Sequence, residues 1–185
     1  MRAARSAGKY AVAHASTPEG MKRSILAGVE TIEHGDGATA ETYTLMKENN
    51  TVLYPTLAAG DAIERYSGWD GKLDTDRIVR KKESFRLALS SGVTIGFGGD
   101  VGVYPHGENF RELELMVEYG MSPLAVLQAA TKINAQTFHL EFLGQVREGY
   151  LADLIAVPGD PTTDIRAMRN VPFVMLNGEV VKKEF

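Results

Sequence analysis

Three side chains stand where a parallel α/β protein keeps its chemistry. His14 closes the apolar run Tyr10-Ala11-Val12-Ala13-His14, and His34 closes Val29-Glu30-Thr31-Ile32-Glu33-His34. Asp100 closes Val93-Thr94-Ile95-Gly96-Phe97-Gly98-Gly99-Asp100. In such folds the ligand site lies at the carboxyl ends of the strands. The chain has four histidines, so a pair at equivalent strand ends, one βα unit apart, is a selective placement. Two neutral imidazoles and a carboxylate suit a borderline divalent ion, zinc above all. Zinc lowers the pKa of a bound water toward about 7, and a nearby carboxylate can ligate, act as general base, or do both in succession. Taken alone, Asp100 reads equally as the N-cap of a following helix, and a lone strand-end histidine as a hydrogen-bonded structural residue. The His14/His34 pairing tilts the reading toward chemistry, as does Gly98-Gly99, which lets a ligand approach the backbone.

Other candidates carry less. His106, in Tyr104-Pro105-His106-Gly107, shares the loop after Asp100 and faces either the same pocket or solvent. His139 sits near a helix end, as a structural residue or a C-terminal cation. Glu33 alternates with His34 and so points to the other face of its strand, as a packing or ion-pair residue. Gly96-x-Gly98-Gly99 lacks the spacing of a dinucleotide loop, and no Gly-Lys-Ser/Thr follows it. Tyr54, Tyr66 and Trp69 suit either a pocket lining or a core. Arg80-Lys81-Lys82-Glu83 reads as a solvated helix face.

The elements that must position these groups alternate between short apolar runs and helical patterns, the mark of βα units. A helix after His14 starts at Thr17 as N-cap with Pro18 at its first position, and Gly28 ends it. Helices are also expected over 40–48, 77–90, 108–119, 123–130 (capped by Ser122) and 133–139. A third strand is expected over Thr51–Leu57, followed by a long polar insertion, Gly60–Asp76, of the kind that forms lids or disordered segments. The tail reads as a strand at Ala152–Val157 and a hairpin, Phe173–Leu176 and Glu179–Lys182, turning on Asn177-Gly178. Four βα units are half of what a closed barrel needs, which is normally about 250 residues. The fold is therefore an open α/β sheet or half a barrel.

Composition narrows the function classes. With 185 residues and 44% hydrophobic content, the chain can bury one core. No cysteine is present, so metal chemistry must use His and carboxylates. A formal charge of −4 argues against nucleic-acid binding by bulk charge, and no apolar run is long enough for a membrane span. The expected location is cytoplasmic.

Val12-Ala13-His14-Ala15, Gly28-Val29-Glu30-Thr31-Ile32-Glu33-His34-Gly35 and Gly98-Gly99-Asp100, in that order, resemble the metal-dependent amidohydrolase superfamily. The likeness is closest to its imidazolonepropionase-like and Xaa-Pro dipeptidase-like branch. Tyr104-Pro105-His106-Gly107, Met121–Thr131, Gly144–Ile155 and the closing hairpin fit the same branch. The resemblance implies the C-terminal half of a (β/α)8 TIM-type barrel, strands five to eight, over residues 1–140. Residues 141–185 would supply β strands of a flanking composite sandwich. It implies that His14 and His34 are metal ligands ending strands five and six. Asp100, ending strand eight, would both touch the metal and shuttle protons. His106 and Tyr104 would contact substrate. The implied cofactor is a divalent metal, most simply zinc, and the implied reaction is hydrolysis of an amide, peptide or cyclic amide C–N bond in a small or dipeptide-like substrate.

One departure matters. Members of the superfamily carry a His-x-His pair at strand one, and many a bridging Lys or Glu at strand four. No His-x-His occurs here. The chain is thus expected to be a fragment of such an enzyme that self-associates or pairs with a missing N-terminal half. The alternative is a non-catalytic remnant that serves as an assembly module.

Overall fold

The structure, a computed structural model, describes residues 2–185. After a short helix α1 (Arg2–Ser6), the chain runs β1 (Val12–Ala15), α2 (Pro18–Ala27), β2 (Thr31–His34), α3 (Ala40–Glu48) and β3 (Val52–Tyr54). The three strands pair in parallel in the order β1-β2-β3, with His14 opposite Glu33 and Ala15 opposite His34. Local sequence sets the helix starts. Thr17 Oγ1 accepts from the Gly20 N–H and Pro18 opens α2, while Thr39 and Thr42 cap α3 reciprocally; each arrangement satisfies otherwise orphaned N–H groups.

Strand three is shorter than expected. Pro55 has no N–H to donate to a ladder, and Thr56 turns into the left-handed region at φ 47°. The chain then enters α4 (Leu57–Tyr66), which takes the last residue expected in the strand and the first part of the expected polar insertion. Ala58, Ala59 and Ala62 are buried there, and the buried Asp61 is paired with Arg65 and Arg111. Small helix formers and i,i+4 pairing make a helix from a segment whose polarity suggested a loop. Only the part after Tyr66 is irregular, before α5 (Asp76–Ser91).

The fourth expected strand is reduced to a single bridge between Leu53 and Ile95. The Leu53 N–H donates to Thr94 O, and the Gly96 N–H to Leu53 O, both at 2.9 Å. Beyond Gly96 a side chain takes over from the ladder. Asn134 Oδ1 accepts from the Phe97 N–H at 3.0 Å and from the Tyr54 hydroxyl at 3.0 Å, and Asn134 Nδ2 donates to Phe97 O at 2.8 Å. Gly96 is required at this point, because a Cβ would overlap the Tyr54 ring.

Helices α6 (Phe110–Glu118) and α7 (Pro123–Gln128), a π-helical turn (Ala129–Ile133) and α8 (Asn134–Thr137) complete the layer behind the sheet. Met21, Ile25, Tyr43, Met46, Phe85, Leu115, Met116 and Tyr119 pack with Ile32, Leu53 and Ile95 into one core. The tail forms an antiparallel sheet, β4 (Leu154–Ala156), β5 (Phe173–Leu176) and β6 (Glu179–Lys183), with Asn177 and Gly178 both at positive φ in the hairpin turn. A 3-10 turn (Ile165–Arg169) ties this part to α6 through an Arg169–Glu114 ion pair. Among the described residues, no helix is long and apolar enough to cross a membrane.

Candidate active site

The parallel strands deliver His14 and His34 to one spot. His34 Nε2 and His14 Nδ1 stand 2.9 Å apart, with the ring centroids at 4.2 Å and the rings inclined by 64°. His34 Nδ1 lies 2.6 Å from Thr56 Oγ1, so each nitrogen of that ring has a defined partner. His34, Thr56 and Asp100 take positive φ values of 76°, 47° and 61°. Such backbone costs on the order of 1–3 kcal/mol at a non-glycine residue and clusters where function demands it.

Electrostatics favour a neutral His34. Burial is the main cause holding its pKa below the ordinary imidazole value; the neighbouring His14 and Lys81 act the same way, and Asp36 and Asp100 oppose them. Neutral imidazole is the form that ligates a metal. Burial holds the Glu33 carboxyl above its ordinary value, opposed by the Thr31 hydroxyl that donates to it, and Asp100 raises it further. The Asp100 charge thus registers on both residues of the β2 end.

Two nitrogens bound to one tetrahedral ion at the usual distances stand about 3.3 Å apart, so the 2.9 Å separation fits a shared ion after a small parting of the rings. Asp100 is exposed at the same end and its carboxylate makes no hydrogen bond among the described residues. Among the described residues, no group of three His, Asp or Glu side chains stands close enough to hold an ion. The structure therefore brings together two of the three expected ligands.

Neither expected substrate contact, His106 or Tyr104, is hydrogen-bonded to this pair among the described residues. His106 is exposed, without a hydrogen bond or ion pair among the described residues. Tyr104 is buried, its hydroxyl lies against Gly99 without a hydrogen-bond partner, and its pKa is pushed up to about 12, chiefly by burial. His139 stacks on Tyr10 at 3.9 Å and faces Glu30, in keeping with a structural role.

The profile of the Amidohydrolase family matches residues 1–181. The chain belongs to that family. This amidohydrolase chain is similar to ochratoxinase of Aspergillus niger, at 32% identity over 92% of this chain and 37% of that protein. Among solved structures it is similar to a Xaa-Pro dipeptidase with methionine bound in its active site, with a TM-score of 0.91 and 39% identity. That likeness covers 98% of this chain and 47% of the dipeptidase chain. Ochratoxinase itself superposes with a TM-score of 0.86 at 28% identity, over 98% of this chain and 44% of that one. The amidohydrolase chain thus spans less than half the length of these relatives, and its parallel βα units are part of the relatives' larger fold.

Three residues around the pair were not legible as site residues. Lys81, placed by its charged neighbours on a solvated face, is only 4% exposed; its Nζ donates to Asp36 Oδ1 at 2.7 Å and to Pro55 O at 3.1 Å. Its stem crosses Gly60, where a Cβ would overlap it. Glu112, one of several acids on α6, is fully buried; its two oxygens accept from the Leu57 and Ala58 N–H groups at 3.0 and 2.6 Å. Burial pushes its carboxyl up to about 7, against those two bonds and the Lys81 charge. Thr56 is the third. No local signal in the sequence singles it out.

Proposed function

We propose that this chain carries half of the active site of a metal-dependent hydrolase of amide C–N bonds, with His14, His34 and Asp100 as its metal-facing residues. The observation that supports it is the approach of His34 Nε2 to His14 Nδ1 at 2.9 Å, within a chain whose relatives include a Xaa-Pro dipeptidase. His14 Nδ1 and His34 Nε2 would hold a divalent ion, zinc being the ion that imidazole and carboxylate best suit. When bound, the ion supplies Lewis acidity that polarises an amide carbonyl and acidifies water. Asp100 takes a proton from the attacking water and returns it to the departing nitrogen, so one carboxylate serves as base and then as acid. The exposed Asp100 carboxylate is free to make that exchange. His106 and Tyr104 belong to the substrate side in this reading. The strands correspond to five through eight of a (β/α)8 barrel, with residues 141–185 as part of a flanking sandwich.

The remaining ligands and much of the pocket would come from a second half. In favour of this, β1 is an edge strand, and Tyr10 before it and Val12 at its start are exposed, a surface suited to pairing with a further strand. The substrate class we assign is a dipeptide or a small acylated amine. Elemental analysis of the purified chain tests the reading. Near-stoichiometric transition metal, lost in His14→Ala/His34→Ala, is expected; metal content that the double substitution leaves unchanged overturns the ligand assignment.

A further inference from the structure

Three of the helices behind the parallel sheet draw an N-terminal cap from the residue just before them, and α4 and α6 do not. Thr17, Thr39 and Thr75 each turn a hydroxyl onto the third N–H of their helix. Thr56 stands at the same position before α4 and does not: it makes no cap bond and adopts φ 47°, ψ 50°. The hydroxyl goes instead to His34 Nδ1 at 2.6 Å. The first two N–H groups of α4, those of Leu57 and Ala58, are met instead by the buried carboxylate of Glu112, reaching across from α6. On the other side of Thr56, the Pro55 carbonyl accepts from the buried Lys81 ammonium, which Asp36 neutralises.

Two long-range polar contacts therefore grip the backbone immediately before and immediately after one threonine. A β-branched residue does not hold the left-handed conformation unaided. Its neighbours are fixed by groups distant in sequence, and the conformation aims its hydroxyl at the histidine. We propose that Thr56 is a positioning residue for His34, held by a clamp of Lys81 on Pro55 and Glu112 on Leu57 and Ala58. Its hydroxyl accepts from the Nδ1–H of His34 and so leaves the Nε2 lone pair facing His14. Fixing the outer nitrogen of a ligating histidine selects the tautomer and the ring orientation that a metal requires. The clamp explains why two buried polar side chains with no place in the proposed proton transfers lie beneath the site. The inference rests on the metal-site reading above for its purpose, though not for its geometry.

The test uses the full chain and two readouts. In the metal-free protein, long-range proton–nitrogen NMR of the histidine rings reports the His34 tautomer. Zinc affinity, measured by chelator competition, reports the consequence. The native chain is expected to show His34 protonated at Nδ1. Thr56→Val, which keeps the branched shape and removes the hydroxyl, is expected to give mixed tautomers and about 10–100-fold weaker zinc binding. Thr56→Ser is expected to restore both. Glu112→Gln, which spoils one of the two backbone bonds, is expected to shift the tautomer in the same direction as Thr56→Val with the hydroxyl still present. A native His34 protonated at Nε2, or a tautomer that Thr56→Val leaves unchanged, overturns the positioning role. A native chain that shows the expected tautomer switch but binds no zinc overturns the metal reading and leaves the positioning role standing.

Discussion

The parallel sheet β1–β3 and the antiparallel sheet β4–β6 each have three short strands, yet they treat polar groups in opposite ways. The parallel sheet ends on residues in left-handed backbone, two facing imidazoles and the buried side chains Lys81, Glu112 and Asp61. The antiparallel sheet has neither the facing imidazoles nor these buried charges; its left-handed residues, Asn177 and Gly178, form a hairpin turn in which the Asn177 N–H donates to Asp153 Oδ1 at 2.7 Å. Its strands leave Ile155, Leu176, Val180 and Val181 exposed. Strain and buried charge cost stability, and at the parallel sheet three left-handed residues, His34, Thr56 and Asp100, accompany the buried Lys81 and Glu112. A stable scaffold without a site has no need of them, which is the physical ground for locating chemistry at the His14/His34 end.

The sharpest way to break this contrast is to remove the charge that Asp36 and Pro55 share. Lys81→Met keeps the stem over Gly60 and leaves both acceptors unpaired. The expected loss is about 3 kcal/mol of unfolding free energy, at the low end for a broken buried pair because Asp36 reaches solvent, read from urea midpoints. Lys182→Met, which removes the exposed Lys182–Glu184 pair of β6, is expected to cost less than about 0.5 kcal/mol. Equal losses at the two sites would erase the distinction between the sheets.

A comparable effect comes from pH. Glu112 titrates near the ordinary 4.5 when unfolded and at about 7 when folded. Between those values the folded chain holds a proton that the unfolded chain has released, so its contribution falls as pH rises from 4.5 to 7. The fall is on the order of 3 kcal/mol. His34 works the other way: its folded pKa is lowered from 6.5, so its contribution grows as pH rises toward 6.5. The difference between the native chain and Glu112→Gln isolates the first slope. Stability-versus-pH curves that run parallel for the two proteins would show that folding leaves the Glu112 carboxyl at its ordinary value.

Gly96→Ala probes the seam where the parallel sheet gives way to Asn134. The added methyl meets the Tyr54 ring, whose hydroxyl is tied to Asn134. An overpacking loss of about 2 kcal/mol is expected in thermal or urea unfolding. A loss below about 0.5 kcal/mol would mean that the ring swings aside and that the Asn134 knot is not a fixed part of the sheet.

What could be read from the sequence divides along the same line. Local signals were legible: the Thr17-Pro18 start of α2, the Asn177-Gly178 turn and the placement of His14 and His34 at strand ends each follow from a few adjacent residues. The coarse α/β class followed from their alternation. The misreadings all concern groups whose meaning lies in distant partners. Lys81 looks solvated among charged neighbours because Asp36 and the Pro55 carbonyl cannot be seen from it. Helix α4 was hidden because Asp61 reads as polar until Arg65 and Arg111 neutralise it. The fourth strand was overdrawn because Asn134, not a neighbouring strand, takes up Phe97. Thr56 was passed over for the same reason, since its own cap comes from a residue 56 positions further on in the chain order of α6.

The smallest expected effect sharpens the contrast from the antiparallel side. Val181 lies on β6 and is 60% exposed, and threonine matches valine in branching and strand preference. Val181→Thr is therefore expected to change stability by no more than about 0.5 kcal/mol. The isolated sheet face has nothing to lose when a methyl becomes a hydroxyl, whereas a covered face would bury that hydroxyl without a partner. A loss above about 1.5 kcal/mol, in the range for burying an unpaired hydroxyl, would show that the face is covered in solution. If that loss vanished on dilution, the cover would be a second chain. The antiparallel sheet would then be an interface, and the two sheets would differ in what they bind as well as in how they are built.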